Sequence, residues 1–186
     1  MKIIIFLLAF LSVLHQAEMA PKGNEKPVIL ISAFHQYSLV PPNGWECENQ
    51  NTKGPVSFAV FYEKGYSFNT AGTMMFVNSS SMNNSNRKKV EDFMKADSVF
   101  YREHYPNVSY TTEKPVKIND NLWARLVVLN GSATRTFDAY AYIDAGKSVV
   151  IIGISSENKN NFDKMMKAFT ELVKSYQFIA FRPSSR

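Results

Sequence analysis

The histidines and the cysteine beyond residue 20 that could bind a metal or drive nucleophilic chemistry are His35, His104 and Cys47. A metal site needs several donors that converge, and none of these three stands at ligand spacing. A nucleophilic cysteine needs a base that is itself oriented by a third group. Cys47 lies between Glu46 and Glu48, and neighbouring carboxylates raise a thiol's pKa and make it less reactive. A Cys47–His35 pair is geometrically possible across a hairpin. His104 falls at a predicted helix end, where the helix dipole favours a cation. No Gly-x-Ser-x-Gly and no glycine-rich phosphate loop occurs; Gly44, Gly65 and Gly72 read as turn residues. No carboxylate pair stands out for glycoside hydrolysis. These residues point to no catalytic site, no metal and no cofactor.

Two other groupings suit binding. Trp123, Arg125, Asp138, Tyr140 and Tyr142 share one parity on two predicted strands. If those strands pair, aromatic and charged residues occupy one sheet face, a composition enriched at protein interfaces. If the second helix covers that face instead, Arg125 and Asp138 make a cross-strand ion pair. Basic residues form the second grouping. Arg87, Lys88 and Lys89 open one predicted helix, and Lys164, Lys167 and Lys174 lie outside another, interrupted by Glu171. Such residues attract anionic lipid headgroups by about 1 kcal/mol each near a membrane surface. Nucleic acid calls for a more basic stripe with interleaved aromatics.

The elements that position these residues follow from periodicity. Val28–Phe34 and Tyr37–Val40 are extended, and Pro41-Pro42-Asn43-Gly44 is a turn before Trp45. Val56–Tyr62 and Thr73–Val77 read as strands, and Asn78–Asn86 as a solvated Ser/Asn loop. A helix over Arg87–Tyr105 has Ser85 or Asn86 as its cap and an apolar face of Val90, Phe93, Met94, Phe100 and Tyr101. Val108–Ile118 is a strand that Pro115 confines in part to an edge or bulge. Leu122–Leu129 and Phe137–Ile143 alternate around the hairpin signal Asn130-Gly131. Ser148–Ile154 is nearly all apolar, as a central strand is. Phe162, Met165, Met166, Phe169, Leu172, Val173 and Tyr176 give the final helix a wide apolar stripe. Phe178–Phe181 docks as an edge element, and Arg182–Arg186 is a frayed tail. A meander with helices around it makes an α+β fold, with an antiparallel sheet covered by helices.

The chain has 186 residues, a formal charge of +5 and a single cysteine. That length suits one domain, and one cysteine permits no internal disulfide. Residues 1–20 carry Lys2, an apolar run from Ile3 to Leu14, then a polar stretch ending at Ala20. This is the order of a secretory signal peptide cut after Ala20. The run is shorter than the roughly 20 residues of a membrane span, and no second such run follows. The expectation is a protein exported to the periplasm or beyond, with Pro21–Lys26 as a polar leader. Asn-x-Ser sequons stand at Asn78, Asn83, Asn107 and Asn130; they matter only in a glycosylating host.

The order of elements resembles the PsbP-like superfamily. That group includes photosystem II extrinsic subunits, a fungal Ran-binding nuclear import factor and many small exported bacterial proteins. The resemblance rests on the segment YSLVPPNGW at the hairpin Tyr37–Trp45 and the strand Val56–Tyr62. It continues through the helix Arg87–Tyr105, the hairpins Leu122–Ile154 and the helix Lys159–Tyr176. It makes residues 21–186 a single domain and implies an α/β/α sandwich. It also implies a binding or assembly role without catalysis, with a protein as partner. The fold does not set the function, and no residue here matches a photosystem or Ran-binding role. Acidic lipid headgroups are the alternative partner, as for a secreted effector.

Overall fold

A computed structural model describes residues 25–32, 34–49, 58–82, 86–131 and 136–181. The signal peptide with its cut after Ala20, most of the leader, Asn83, Ser85 and the tail after Phe181 lie outside the described residues.

Seven strands form one antiparallel sheet. They are β3 (Trp45–Asn49), β4 (Ala59–Glu63), β5 (Thr73–Ser81), β6 (Ser109–Lys117), β7 (Trp123–Asn130), β8 (Phe137–Asp144) and β9 (Ser148–Ser156). Their order across the sheet is β3-β4-β5-β9-β8-β7-β6. β9 is therefore central, and its Val149, Val150, Ile152 and Ile154 are all buried, as its unbroken apolar run predicts. β1 (Val28–Ile31), β2 (His35–Leu39) and β10 (Gln177–Phe181) make a second sheet in the order β1-β2-β10.

Each face of the large sheet carries one helix. α2 (Lys159–Lys174) packs Phe162, Phe169, Leu172 and Val173 on Leu126, Ala139, Ala141, Ile152 and Ile154. α1 (Val90–His104) packs Val90 and Phe93 on the opposite parity, Val127, Leu129, Tyr142 and Val149. Because side chains alternate along a strand, these two sets define opposite faces. The α+β class, with an antiparallel sheet between helices, stands as the sequence implied.

Four local expectations change. Tyr37 and Trp45 do not share a hairpin, because β2 and β3 belong to different sheets. Pro41 and Pro42 lack the N–H that would extend the ladder of β2. A tight turn follows, in which Trp45 N donates to Pro42 O at 2.9 Å and Gly44 takes φ of 81°. Trp45 then opens a strand that alternation over so short a segment did not reveal. Second, the Ser/Asn run is not a loop from Asn78 onward, because Asn78 to Ser81 pair with Ile151 to Ser148. β9 requires a partner on that side, and tertiary pairing overrides weak strand propensity. Third, α1 is not capped by Asn86. Its N-cap is Lys89, a side chain without an acceptor. The Asp92 carboxylate instead accepts from the N–H groups of Lys88 at 2.8 Å and Lys89 at 3.2 Å. That is half of a capping box. Fourth, the face carrying Tyr140 and Tyr142 is covered by α1, where the sequence left it either open or covered by the second helix.

Candidate interaction surface at the edge of the large sheet

β6 and β7 form the last hairpin of the large sheet, and β6 is its outer strand. Both alternatives offered for Pro115 hold together. The strand is an edge, and its register shifts between Glu113 and Val116. Opposite the end of β6 stands Trp123, paired with Lys117. Its indole is 48% exposed, and the Lys117 ammonium lies 5.9 Å from the ring centroid. Arg125 is also exposed and faces Glu91 of α1 at 3.6 Å. An exposed pair of this kind adds little to stability.

Tyr140 and Tyr142 lie under α1, and Asp138 is buried, accepting from the Thr136 hydroxyl at 3.2 Å. Arg125 is opposite Tyr142, and Asp138 is opposite Leu129. The register thus separates Arg125 from Asp138, and the anticipated Arg125–Asp138 ion pair is replaced by Arg125–Glu91. Tyr142 O–H donates to Asp97 Oδ2 at 2.7 Å, and Tyr101 O–H donates to Tyr140 at 2.7 Å. Tyr110 O–H donates to the Met94 carbonyl at 2.9 Å. Burial pushes the Asp97 and Asp138 carboxyls above the usual range. It raises the Tyr140 and Tyr142 phenols strongly and lifts Tyr110 to about 12. Each hydroxyl is spent on a neighbour. The network fastens α1 to the sheet, and only Trp123 and Arg125 face outward.

On the other face, the same hairpin leaves a gap beside α2. Face-sharing pairs run Ser109–Asn130, Thr111–Val128 and Glu113–Leu126. Leu126 and Val128 form the floor of a cleft of about 450 Å³, with Phe162 and Met166 of α2 as its wall. Glu113, Lys114, Asn130, Lys159 and Asp163 make the rim. α2 starts here because Asn158 Oδ1 accepts from Asn160 N at 2.9 Å and Asn161 N at 3.2 Å. Lys159 is held by both oxygens of Asp163 at 2.8 Å. No ion pair holds Glu113 or Lys114 among the described residues. Sequence reasoning missed this cleft. The parity of Leu126 and Val128 marked its floor, but nothing in the chain says where α2 stops covering them.

The remaining candidates are structural. His35 is fully buried where the two sheets meet. Its Nδ1 lies 2.6 Å from Ser32 Oγ and 3.1 Å from Ser148 Oγ, and its Nε2 lies 3.3 Å from the Tyr176 hydroxyl. Cys47 sits on β3, and packs with Trp45 against the core on the α2 face. Burial, and then Glu48, push its thiol up to about 12. His104 Nδ1 bonds the Phe100 carbonyl at 2.8 Å at the end of α1. Among the described residues, no group of three His, Cys, Asp or Glu could hold a metal ion. Arg87, Lys88 and Lys89 stand at the start of α1, while Lys164, Lys167 and Lys174 are exposed on α2. The helices lie on opposite faces, so these two basic sets do not form one plane.

An antiparallel sheet with one helix on each face and a small second sheet defines a recognisable architecture. No protein-family model and no curated protein matches the sequence. Solved structures do match the fold. Cyanobacterial PsbP (CyanoP) from Synechocystis is 12% identical, with a TM-score of 0.50, covering 77% of this chain and 86% of its own. The Saccharomyces cerevisiae Ran-binding protein Mog1p is 10% identical, with a TM-score of 0.50, covering 82% and 95%. A point mutant of Mog1 is 13% identical, with a TM-score of 0.51, covering 83% and 95%. The chain shares the fold of cyanobacterial PsbP and Mog1p. Among the described residues, no helix is long and apolar enough to cross a membrane.

Proposed function

We propose that this is an exported, non-enzymatic binding or assembly protein that engages a protein partner through the β6–β7 edge. The observation that carries the reading is the exposure of Trp123 and Arg125 at an edge hairpin whose other face opens into an apolar cleft. Trp and Arg lead the residue types that carry binding energy at interfaces. Mog1p, which shares the fold, is a Ran-binding protein. The buried ionisable groups are tied into packing, which agrees with binding in place of catalysis. No observation favours the acidic-lipid reading, since the two basic sets lie on opposite faces.

A photo-cross-linking residue placed at Trp123 in living cells tests this, with the same residue at Lys164 on α2 as reference. The expected result is a discrete adduct from position 123 that Arg125→Ala diminishes. Adducts from position 164 alone would refute engagement through Trp123 and Arg125.

A further inference from the structure

The outer side of β6 has no strand partner among the described residues. A bare edge is a template for another chain unless charge, proline or a bulge guards it. The guarding here is uneven. Lys114, Pro115, Lys117 and the bulge protect the second half of β6. The first half, Ser109 to Glu113, reads SYTTE and runs in regular register with β7. Thr111, Thr112 and Glu113 are exposed, and Tyr110 is pinned to α1 through the Met94 carbonyl. At the opposite edge, β3 alternates Glu46 and Glu48 on its exposed face. The cleft lies where the two halves join, lined from β6 by Glu113 and Lys114.

We propose that Ser109–Glu113 accepts an extended segment of the partner as an eighth strand, and that the cleft takes one apolar side chain of that segment. The inference rests on the protein-partner reading and names how the partner is held. Main-chain bonds to an edge supply affinity and a side-chain pocket supplies specificity in this mode of recognition. The register supports it. Glu113, Leu126, Val128 and Asn130 line the cleft, and all four project on the α2 face. A strand added outside β6 puts every second side chain on that face, beside Thr111 and Glu113. The rim sets two lysines against two carboxylates, and the Lys159–Asp163 pair cancels internally. A rim of no net charge over a floor of Leu126 and Val128 and a wall of Phe162 and Met166 suits an apolar side chain and offers little to a phosphate or lipid headgroup.

The probe is a phage-displayed library of random twelve-residue peptides panned on the purified protein. The enriched sequence is then synthesised with a fluorescent label and titrated by anisotropy. Three results are expected. Amide resonances of Ser109 to Glu113 shift on binding. Met166→Lys and Val128→Lys, both at partly exposed positions, weaken binding at least about tenfold with unchanged circular dichroism. N-methylation of the peptide backbone weakens binding at every second position only, as the two-residue period of a strand requires. The proposal is overturned if no peptide is enriched, if the shifts map elsewhere, or if N-methylation acts without that period. A position-123 adduct alongside any of those results would keep the partner and remove the strand addition. Peptide binding at β6 without a position-123 adduct would do the reverse.

Discussion

Acidification should loosen the joint between the two sheets at His35, and the size of the effect can be worked out. His35 is held by β2, touches Ser148 of β9 and Tyr176 just after α2, and stacks on Phe178 of β10 with ring centroids 5.6 Å apart. Burial pushes its imidazole from 6.5 down to about 4. The hydroxyls of Ser32, Ser148 and Tyr176 surround it, and burial alone accounts for the shift; Asp144 acts on the Tyr176 phenol. The unfolded chain binds its proton near pH 6.5 and the folded chain only near pH 4. Between those values the unfolded state holds more protons, so stability falls as pH falls. At roughly 1.4 kcal/mol per pH unit, the loss reaches about 3 kcal/mol by pH 4. Asp97 and Asp138 act in the opposite direction. Burial raises their pKa values, so protonation relieves them in the fold first. The clean measurement is therefore a difference. Urea unfolding of the wild type and of His35→Gln should be followed by the fluorescence of the buried Trp45 at pH 7, 6, 5 and 4. The variant is less stable at pH 7, because it loses the stacking and part of the hydrogen bonding. The gap should close by about 2–3 kcal/mol toward pH 4. Parallel curves from pH 7 to pH 4 would refute the reasoning. They would mean that the three hydroxyls turn to accept from an imidazolium at no cost.

Three further perturbations probe other joints. Tyr142→Phe removes the donor to Asp97 and should cost about 2 kcal/mol at pH 7, by the usual worth of a bond to a charged group. The cost should shrink at low pH, where Asp97 takes up its proton, and chemical denaturation at both pH values reads this. Gly153→Ala should destabilise by about 1–2 kcal/mol, the usual scale of overpacking. A Cβ there runs into the ring of Phe76, which lies across Gly153 and meets Tyr140 edge-on at 5.9 Å; thermal melting and the Tyr140 ring resonances should both respond. Iodoacetamide at pH 8 should alkylate Cys47 at least about a hundredfold more slowly in the fold than in urea. A thiol pushed up to about 12 presents almost no thiolate, and equal rates would mean that the thiol is neither desolvated nor under the influence of Glu48.

The parts of this fold that are legible in the sequence are those whose cause is local. Leu122 to Ile154 alternate with period two between glycine turns. The hairpins and the shared face of Trp123, Arg125, Asp138, Tyr140 and Tyr142 follow directly. The final helix is legible because its apolar stripe can be counted. What the sequence hides depends on distant partners. β10 pairs with β2, so a five-residue strand at positions 177–181 gains its meaning from residues 35–38. Asn78 to Ser81 look like loop because nothing near them reveals β9. The proposed interaction surface divides along the same line. Parity places five residues on one face, but only tertiary packing decides that three are covered and two exposed. The cleft lies further still from sequence. Its floor is ordinary core-facing β7, and it exists because α2, anchored by Asn158 and the Lys159–Asp163 pair, passes beside the β6–β7 hairpin without covering it. A binding surface of this kind is an incompleteness in the packing. Periodicity predicts what a strand can bury, and only the placement of the neighbouring helix decides what it leaves for a partner.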